Sequence, residues 1–181
     1  CVFITEWVKI LDVPPVEPLP IPKRIFIFSC YRGQYTHDVI LSLLLAWRGH
    51  KVTLGYLPKL QSPIKDPLVD HQSAAPYLRS VLGEISCLTK GRVSCVDLSP
   101  FSESSGDYDE AYLSSQLRTN IVMRLRQEHY DLNDPDVELA RRHYEELGRL
   151  AQRIAFTYLS KNQGAIDLCL IANGESFEGC L

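Results

Sequence analysis

Four short runs of apolar residues punctuate the chain and predict β-strands. They cover residues 24–30, 51–57, 92–98 and 165–172. The first run, RIFIFSC, is rich in β-branched and aromatic residues and shows almost no alternation with polar positions. Continuous runs of this kind are typical of strands that are covered on both faces of a sheet. We therefore expect a sheet with helices packed on its two sides.

Between these runs, apolar residues recur at the spacing of an α-helix. The first helix is predicted to begin after an N-cap at Thr36 and to end before Gly49 as its C′ residue. A short helix ending at a glycine is predicted over residues 74–83, and longer helices over residues 108–128 and 133–160. Strands that alternate with helices in this order predict an α/β fold with a doubly wound, mostly parallel Rossmann-like sheet.

The start of the chain differs from the rest. Residues 13–22 hold five prolines, which fix the backbone and remove hydrogen-bond donors. We therefore expect residues 1–22 to be a proline-rich segment or linker and residues 23–181 to form the Rossmann-like domain. The first residue is Cys1 rather than Met, and the last, Leu181, follows shortly after the fourth predicted strand. We expect the chain to be a fragment of a longer protein.

Composition narrows the function classes. The chain of 181 residues has 19 Lys and Arg against 22 Asp and Glu, a net charge of −3, which lacks the basic excess of a nucleic-acid-binding domain. Its six cysteines show neither C-x-x-C nor zinc-ligand spacing, so no metal site is predicted. Free cysteines within strand-like runs favour a reducing, cytoplasmic compartment. No uncharged apolar run reaches the roughly 18 residues of a membrane-spanning helix.

Doubly wound sheets bind ligands beyond the carboxyl ends of their strands. The loop after the first strand carries Arg32, Gly33 and Gln34, followed by Thr36 and His37 at the predicted helix start. A helix N-terminus offers free N–H groups to an oxygen-rich ligand, and an imidazole with an ordinary pKa near 6.5 suits a general base. The alternative is that Gly33 only forms a turn and His37 only occupies a first helical turn.

A second loop follows the fourth predicted strand and contains Asn173, Gly174 and Glu175. Asn-Gly is a turn signal, and its position at a carboxyl strand end also makes it a candidate ligand contact. The chain contains no G-x-G-x-x-G, no P-loop and no G-x-S-x-G element. No cofactor is therefore predicted for this fragment.

Several of these segments together resemble a known family. The strand RIFIFS, the Gly-to-His loop and the stretch LLLAWRGHKVTLGYL resemble the N-terminal domain of two-domain glycosyltransferases, which often show L-x-x-R-G-H-x-V-T between first helix and second strand. The segment IDLCLIANGESFEG is similar to the strand and Asn-Gly turn of such proteins in capsular or surface polysaccharide synthesis. The resemblance covers residues 24–57 and 165–179.

The resemblance implies that the chain is the acceptor-side half of such an enzyme. Its partners would be the missing C-terminal half and a glycan or lipid-linked acceptor, with peripheral membrane contact, and a nucleotide-sugar donor would bind the full-length protein. His37 would be the catalytic base, and the other loop residues would bind the acceptor: Arg32, Gly33, Gln34, Thr36, Asn173, Gly174 and Glu175. Many members place the histidine directly after the glycine, whereas three residues separate them here.

A different class of function stays open. The chain is alternatively a non-catalytic flavodoxin-like or receiver-like module that docks a partner or a small ligand. A receiver needs an acidic cluster at the end of the first strand, and Ser29-Cys30-Tyr31 has none. A flavin module favours a Ser/Thr-rich phosphate loop, and this loop offers only Thr36. Both absences favour the transferase, which we expect to be nearly inactive without its other half.

Overall fold

The computed structural model describes residues 6, 8–13, 21–29, 35–57, 75–101, 109–125 and 129–171. Within them, four strands form one parallel sheet: β1 (Arg24–Ser29), β2 (Lys51–Tyr56), β3 (Val93–Asp97) and β4 (Leu168–Ile171). Their order across the sheet is β3-β2-β1-β4. The predicted α/β class and the parallel, Rossmann-like sheet are confirmed.

Four α-helices connect or cover these strands. They are α1 (Tyr35–Trp47), α2 (Ala75–Leu88), α3 (Glu110–Leu125) and α4 (Pro135–Lys161). Helices α1 and α2 contribute to an apolar cluster on one face of the sheet, and α4 contributes to a second cluster on the other face. Helix α3 packs along α4. The sheet is thus covered on both faces, as the continuous apolar runs predict.

Strand β1 shows why its sequence lacks polar alternation. Ile25 and Ile27 belong to the cluster under α1 and α2, whereas Phe26 and Phe28 belong to the cluster under α4. The Phe26 ring stacks on Tyr158 of α4 with 4.7 Å between ring centroids. All four β1 side chains are buried, because successive residues of a strand point to opposite faces and both faces are covered.

A glycine in β2 makes room for this aromatic packing. A β-carbon at Gly55 would lie 2.6 Å from two ring atoms of Phe26 and 2.8 Å from Cδ1 of Leu98. These distances are shorter than van der Waals contact, and the two neighbours are themselves fully buried. Gly55 therefore sets how closely β2 approaches the core beneath α4.

Two helices end with the same hydrogen-bond pattern. After α1, Gly49 N–H donates to the Ala46 carbonyl and His50 N–H to the Leu45 carbonyl, with Gly49 at φ 99°, which is a Schellman motif. The predicted C′ role of Gly49 is confirmed. After α2 the pattern repeats with Lys90 at the C′ position, at φ 54°.

Two predicted helix boundaries are wrong. Helix α2 does not end at Gly83 but continues to Leu88, since its buried stripe of Leu82 and Ile85 crosses the exposed glycine. Apolar burial outweighs the cost of roughly 1 kcal/mol for glycine in a helix. Helix α1 begins at Tyr35, so Thr36 lies within its first turn instead of capping it.

The cysteines in the strands behave as apolar side chains. Cys95 of β3 and Cys169 of β4 are free thiols, as is the exposed Cys87 of α2. Burial raises the pKa of Cys95 to about 12 and that of Cys169 to about 11, so both stay protonated at neutral pH. Of the helices in the described segments, none is both long and apolar enough to cross a membrane.

Candidate functional site

The carboxyl ends of β1 and β4 lie side by side. Phe28 of β1 is paired with Ile171 of β4, so the loops that follow these strands start about 5 Å apart. After β1 the chain enters α1 on one face, whereas β4 is reached through α4 on the other face. This divergence defines the switch point at which doubly wound sheets bind ligands.

The predicted site residues divide into two groups. Thr36 and His37 lie in the first turn of α1, and both are exposed at the carboxyl edge. The remaining ones lie outside the described residues, namely Arg32, Gly33, Gln34, Asn173, Gly174 and Glu175. For these six residues, the structure describes only the strand ends that precede them in the chain.

Two buried polar residues, neither predicted from the sequence, lie where β1 ends and α1 begins. Ser29 ends β1 with no exposed surface, and Asp38 in the first turn of α1 is 1% exposed. Burial raises the pKa of the Asp38 carboxyl, while the nearby Ser29 hydroxyl and His37 act in the opposite direction. Although they lie close together, neither Ser29 Oγ nor Asp38 Oδ2 completes a hydrogen bond of good geometry.

A signal for this pair exists in the sequence. The alternation of β1 places Ser29 on the same face as Ile25 and Ile27, under α1. In α1 the buried positions follow a helical stripe that includes both Asp38 and Ser42. Reading polar residues along an otherwise apolar stripe, and not only in the loops, would have found both members of the pair.

Hydrogen bonds fix the backbone around the pair. The Tyr35 hydroxyl donates to the Leu57 carbonyl at 2.7 Å, which ties the start of α1 to the end of β2. Leu57 N–H donates to the Ser29 carbonyl at 3.3 Å. The Ser42 hydroxyl donates to the Asp38 carbonyl at 2.6 Å. These bonds fix the backbone on both sides of the pair, whereas Asp38 Oδ2 itself accepts no hydrogen bond of good geometry.

The helix α4 is about twice as long as the strands that it packs against. It has 27 residues, or about 40 Å, whereas the six residues of β1 span about 20 Å. In its first half, Tyr144 packs with Leu113 and Leu117 of α3. Gln152, fully buried, accepts from Asp109 N–H at 2.8 Å and fixes the start of α3.

The site chemistry is that of hydrogen bonding and proton transfer. Across the described part of the chain, no group of three or more His, Cys, Asp or Glu side chains is placed to hold a metal ion. The edge instead offers an exposed imidazole, a helix N-terminus and a buried carboxyl with a hydroxyl beside it. Comparison with family models, with curated proteins and with solved structures found no match to this chain.

Proposed function

We propose that the chain is the acceptor-side domain of a glycosyltransferase that moves a sugar from a nucleotide-sugar donor to a glycan or lipid-linked acceptor. The supporting observation is the pairing of β1 with β4, which brings the carboxyl ends of these two strands to one edge, where His37 is exposed. A hydroxyl-rich acceptor fits an edge that offers hydrogen-bonding groups.

In the proposed reaction, His37 removes the proton from an acceptor hydroxyl. The hydroxyl oxygen forms a bond to the anomeric carbon of the donor sugar, and the bond from that carbon to the nucleoside diphosphate breaks. The nucleoside diphosphate is the leaving group, and the other half of the enzyme would bind it. Asp38 lies close enough for its charge to interact with His37, so an ionised Asp38 would stabilise the imidazolium that forms.

The strand order also favours this proposal over the binding module. The observed order β3-β2-β1-β4 follows the 3-2-1-4 order of Rossmann halves. Flavodoxin-like and receiver-like domains have the order 2-1-3-4-5, in which the third strand lies on the other side of the first. The non-catalytic alternative is a flavodoxin-like or receiver-like module, and the described strands do not follow the strand order of those folds.

A binding titration of the purified chain tests the proposal. Backbone amide resonances of Thr36, His37 and Ile171 should shift with oligosaccharide acceptors and stay unchanged with nucleotide sugars. Tight binding of a nucleotide sugar, or turnover of one by the chain alone, would contradict an acceptor-side domain. The absence of any response to a broad panel of acceptor glycans would contradict it as well.

A variant pair tests the base. In the full-length enzyme, His37→Gln should lower kcat by roughly 100- to 10,000-fold, the usual contribution of general base catalysis. His129, exposed between α3 and α4, provides the control, and His129→Gln should leave kcat unchanged. Equal activity of the two variants would remove His37 from the mechanism.

A further inference from the structure

The junction of β1 and α1 is the position at which many Rossmann-like domains bind phosphate. In those domains the pyrophosphate of a dinucleotide lies against the N-terminus of the helix that follows the first strand. Backbone N–H groups and the helix dipole favour an anion there. Helix α1, with 13 residues, begins at the equivalent place in this chain, so the charges around its first turn decide which ligands the junction accepts.

A carboxyl group of the protein itself lies at this junction. Asp38 is in the first turn of α1 and is almost fully buried, and Ser29, the last residue of β1, has no exposed surface. The two side chains are close enough for the Ser29 hydroxyl to act on the Asp38 carboxyl. Neither Asp38 Oδ2 nor Ser29 Oγ completes a hydrogen bond of good geometry. The negative charge at the start of α1 is therefore not offset by a well-placed donor to Oδ2.

The neighbouring strand ends add a second carboxylate. Ser29 is paired with Tyr56 of β2, and Tyr56 is paired with Asp97 of β3, so the three side chains lie in one row on the same face of the sheet. The described ends of β1, β2 and β3 and the first turn of α1 contain no lysine or arginine. Within the described residues, the charged group that acts on Asp38 is His37. This edge thus differs from a phosphate site, which supplies positive charge.

We infer that Asp38 makes the start of α1 reject anionic groups and accept neutral or cationic ones. A phosphate or carboxylate at the helix N-terminus would lie close to the Asp38 carboxylate, and repulsion between charges in a partly desolvated position is only weakly screened. A neutral hydroxyl is not repelled, and an ammonium group is attracted. The sugar accepted here is then an uncharged sugar or an amino sugar, and not a uronic acid or a phosphorylated sugar. This acceptor class rests on the proposed function, whereas the rejection of anions does not.

Inorganic phosphate is the first probe, because it carries the rejected charge without a sugar. In the wild-type chain, phosphate should not shift the amide resonances of Thr36 and His37. Asp38→Asn removes the charge and keeps the shape of the side chain, so phosphate should bind there at least roughly tenfold more tightly and shift both resonances. The matched control, Asp136→Asn, removes an exposed aspartate from the first turn of α4 and should leave both resonances insensitive to phosphate.

A second variant separates charge from shape. Ser29→Ala removes the hydroxyl beside Asp38 and leaves the carboxylate, so this variant should still reject phosphate. Thermal melts establish that all variants fold. If Ser29→Ala admitted phosphate as readily as Asp38→Asn, the space at the junction and not the charge of Asp38 would set the selectivity, which would overturn the inference.

Three sugars with the same ring test the acceptor class at pH 7. Methyl glucoside is neutral, glucosamine is mostly cationic and glucuronic acid is anionic. In the wild-type chain, glucosamine should shift the resonances of Thr36 and His37 at the lowest concentration and glucuronate at the highest. Asp38→Asn should remove this order, because the three sugars then differ little in their electrostatic interaction with the junction.

The outcomes distinguish the charge selectivity from the proposed function. Phosphate binding at α1 in the wild-type chain, or an Asp38→Asn chain that still rejects phosphate, would overturn the role of Asp38. Glucuronate that binds the wild-type chain as tightly as glucosamine would overturn the acceptor class. If no glycan shifted these resonances while Asp38→Asn gained phosphate binding, the rejection of anions would stand and the proposed acceptor role of this edge would fail.

Discussion

The two edges of the sheet hold their carboxylates in opposite ways. At the carboxyl edge, Asp38 is buried beside the Ser29 hydroxyl, and its Oδ2 accepts no hydrogen bond of good geometry. At the amino edge, where the strands begin, Asp167 accepts a hydrogen bond from the backbone N–H of Arg24 at 2.8 Å. It also accepts from the Arg24 guanidinium at 2.6 and 3.1 Å, and both side chains are in contact with solvent. Burial raises the pKa of Asp38, whereas hydrogen bonds from Arg24 lower that of Asp167.

This difference distinguishes the edge with the proposed ligand site from an edge where the carboxylate only joins two strands. A buried polar group without a complete hydrogen bond costs about 1–3 kcal/mol, and such groups concentrate at functional sites. An exposed bidentate ion pair carries no such cost and simply joins the first residue of β1 to the residue before β4. An aspartate is thus buried beside the proposed site at one edge and paired with an arginine between two strands at the other.

The largest expected effect comes from the core that holds the carboxyl edge in place. Gly55→Ala should lower the free energy of unfolding by roughly 2–3 kcal/mol, because its β-carbon would overlap the buried Phe26 ring and Leu98. Gly55 is paired with Phe28, one residue before Ser29, so the overlap should also shift the amide resonances of His37. Urea denaturation and amide spectra measure the two effects.

Gly83 provides the matched control. A β-carbon there meets no atom within 4 Å, and the residue lies on the exposed side of α2. Gly83→Ala should raise stability by about 0.5–1 kcal/mol through helix propensity. If both alanine variants changed stability in the same direction, close packing at Gly55 would not be what positions the carboxyl edge.

The next effect concerns Asp38 directly. Asp38→Asn should raise the free energy of unfolding at pH 7, because burial penalises the charged carboxylate and the amide carries no charge. A carboxyl whose folded pKa is raised disfavours the folded state above that pKa, and the penalty fades as pH falls toward the unfolded value near 3.9. The gain should therefore shrink on acidification, which denaturation between pH 7 and pH 4 measures.

Asp136 in the first turn of α4 is the control for this prediction. It is an aspartate at a comparable helix position, but its side chain is exposed. Asp136→Asn should not raise stability at pH 7. An Asp38→Asn protein that is less stable than the wild type would mean that the carboxylate is satisfied in solution, and the contrast between the edges would disappear.

Sequence patterns predicted the elements better than the site. Continuous apolar runs located all four strands, because burial on both faces leaves little choice of residue type. The pattern failed at Gly83, where tertiary burial of Leu82 and Ile85 carries a helix past a local stop signal. His37 was predicted because it lies in a loop-to-helix segment, whereas Ser29 and Asp38 depend on packing between two elements.

A smaller effect is expected at Lys90, which occupies a helix-end position where glycine is usual. Lys90 and Gly49 occupy equivalent C′ positions of two Schellman motifs, both with positive φ. Lys90→Gly should raise stability by about 0.5 kcal/mol, since a side chain at positive φ costs about 1 kcal/mol and glycine loses more entropy on folding.

Two further variants define that result. Lys90→Ala removes the same charge but keeps a β-carbon at positive φ, so it should not raise stability. Gly49→Ala places a β-carbon at φ 99° and should be destabilising. If Lys90→Gly did not raise stability in thermal melts, the positive φ of Lys90 would carry no cost in the folded protein.

The smallest effect is expected at Asp167, since exposed ion pairs are weakened by solvent and salt. Asp167→Asn should lower the melting temperature at pH 7, because the hydrogen bonds from Arg24 hold the carboxyl pKa below its ordinary value and stabilise its charged form. For a carboxyl with a lowered folded pKa, the contribution is complete above the unfolded value near 3.9 and is lost as pH falls further. The loss of stability in Asp167→Asn should thus shrink only below about pH 4. The gain of stability in Asp38→Asn should already shrink between pH 7 and pH 4. Melting curves from pH 7 to pH 2, repeated at high salt, measure both trends, and two parallel pH profiles would show that the edges do not differ electrostatically.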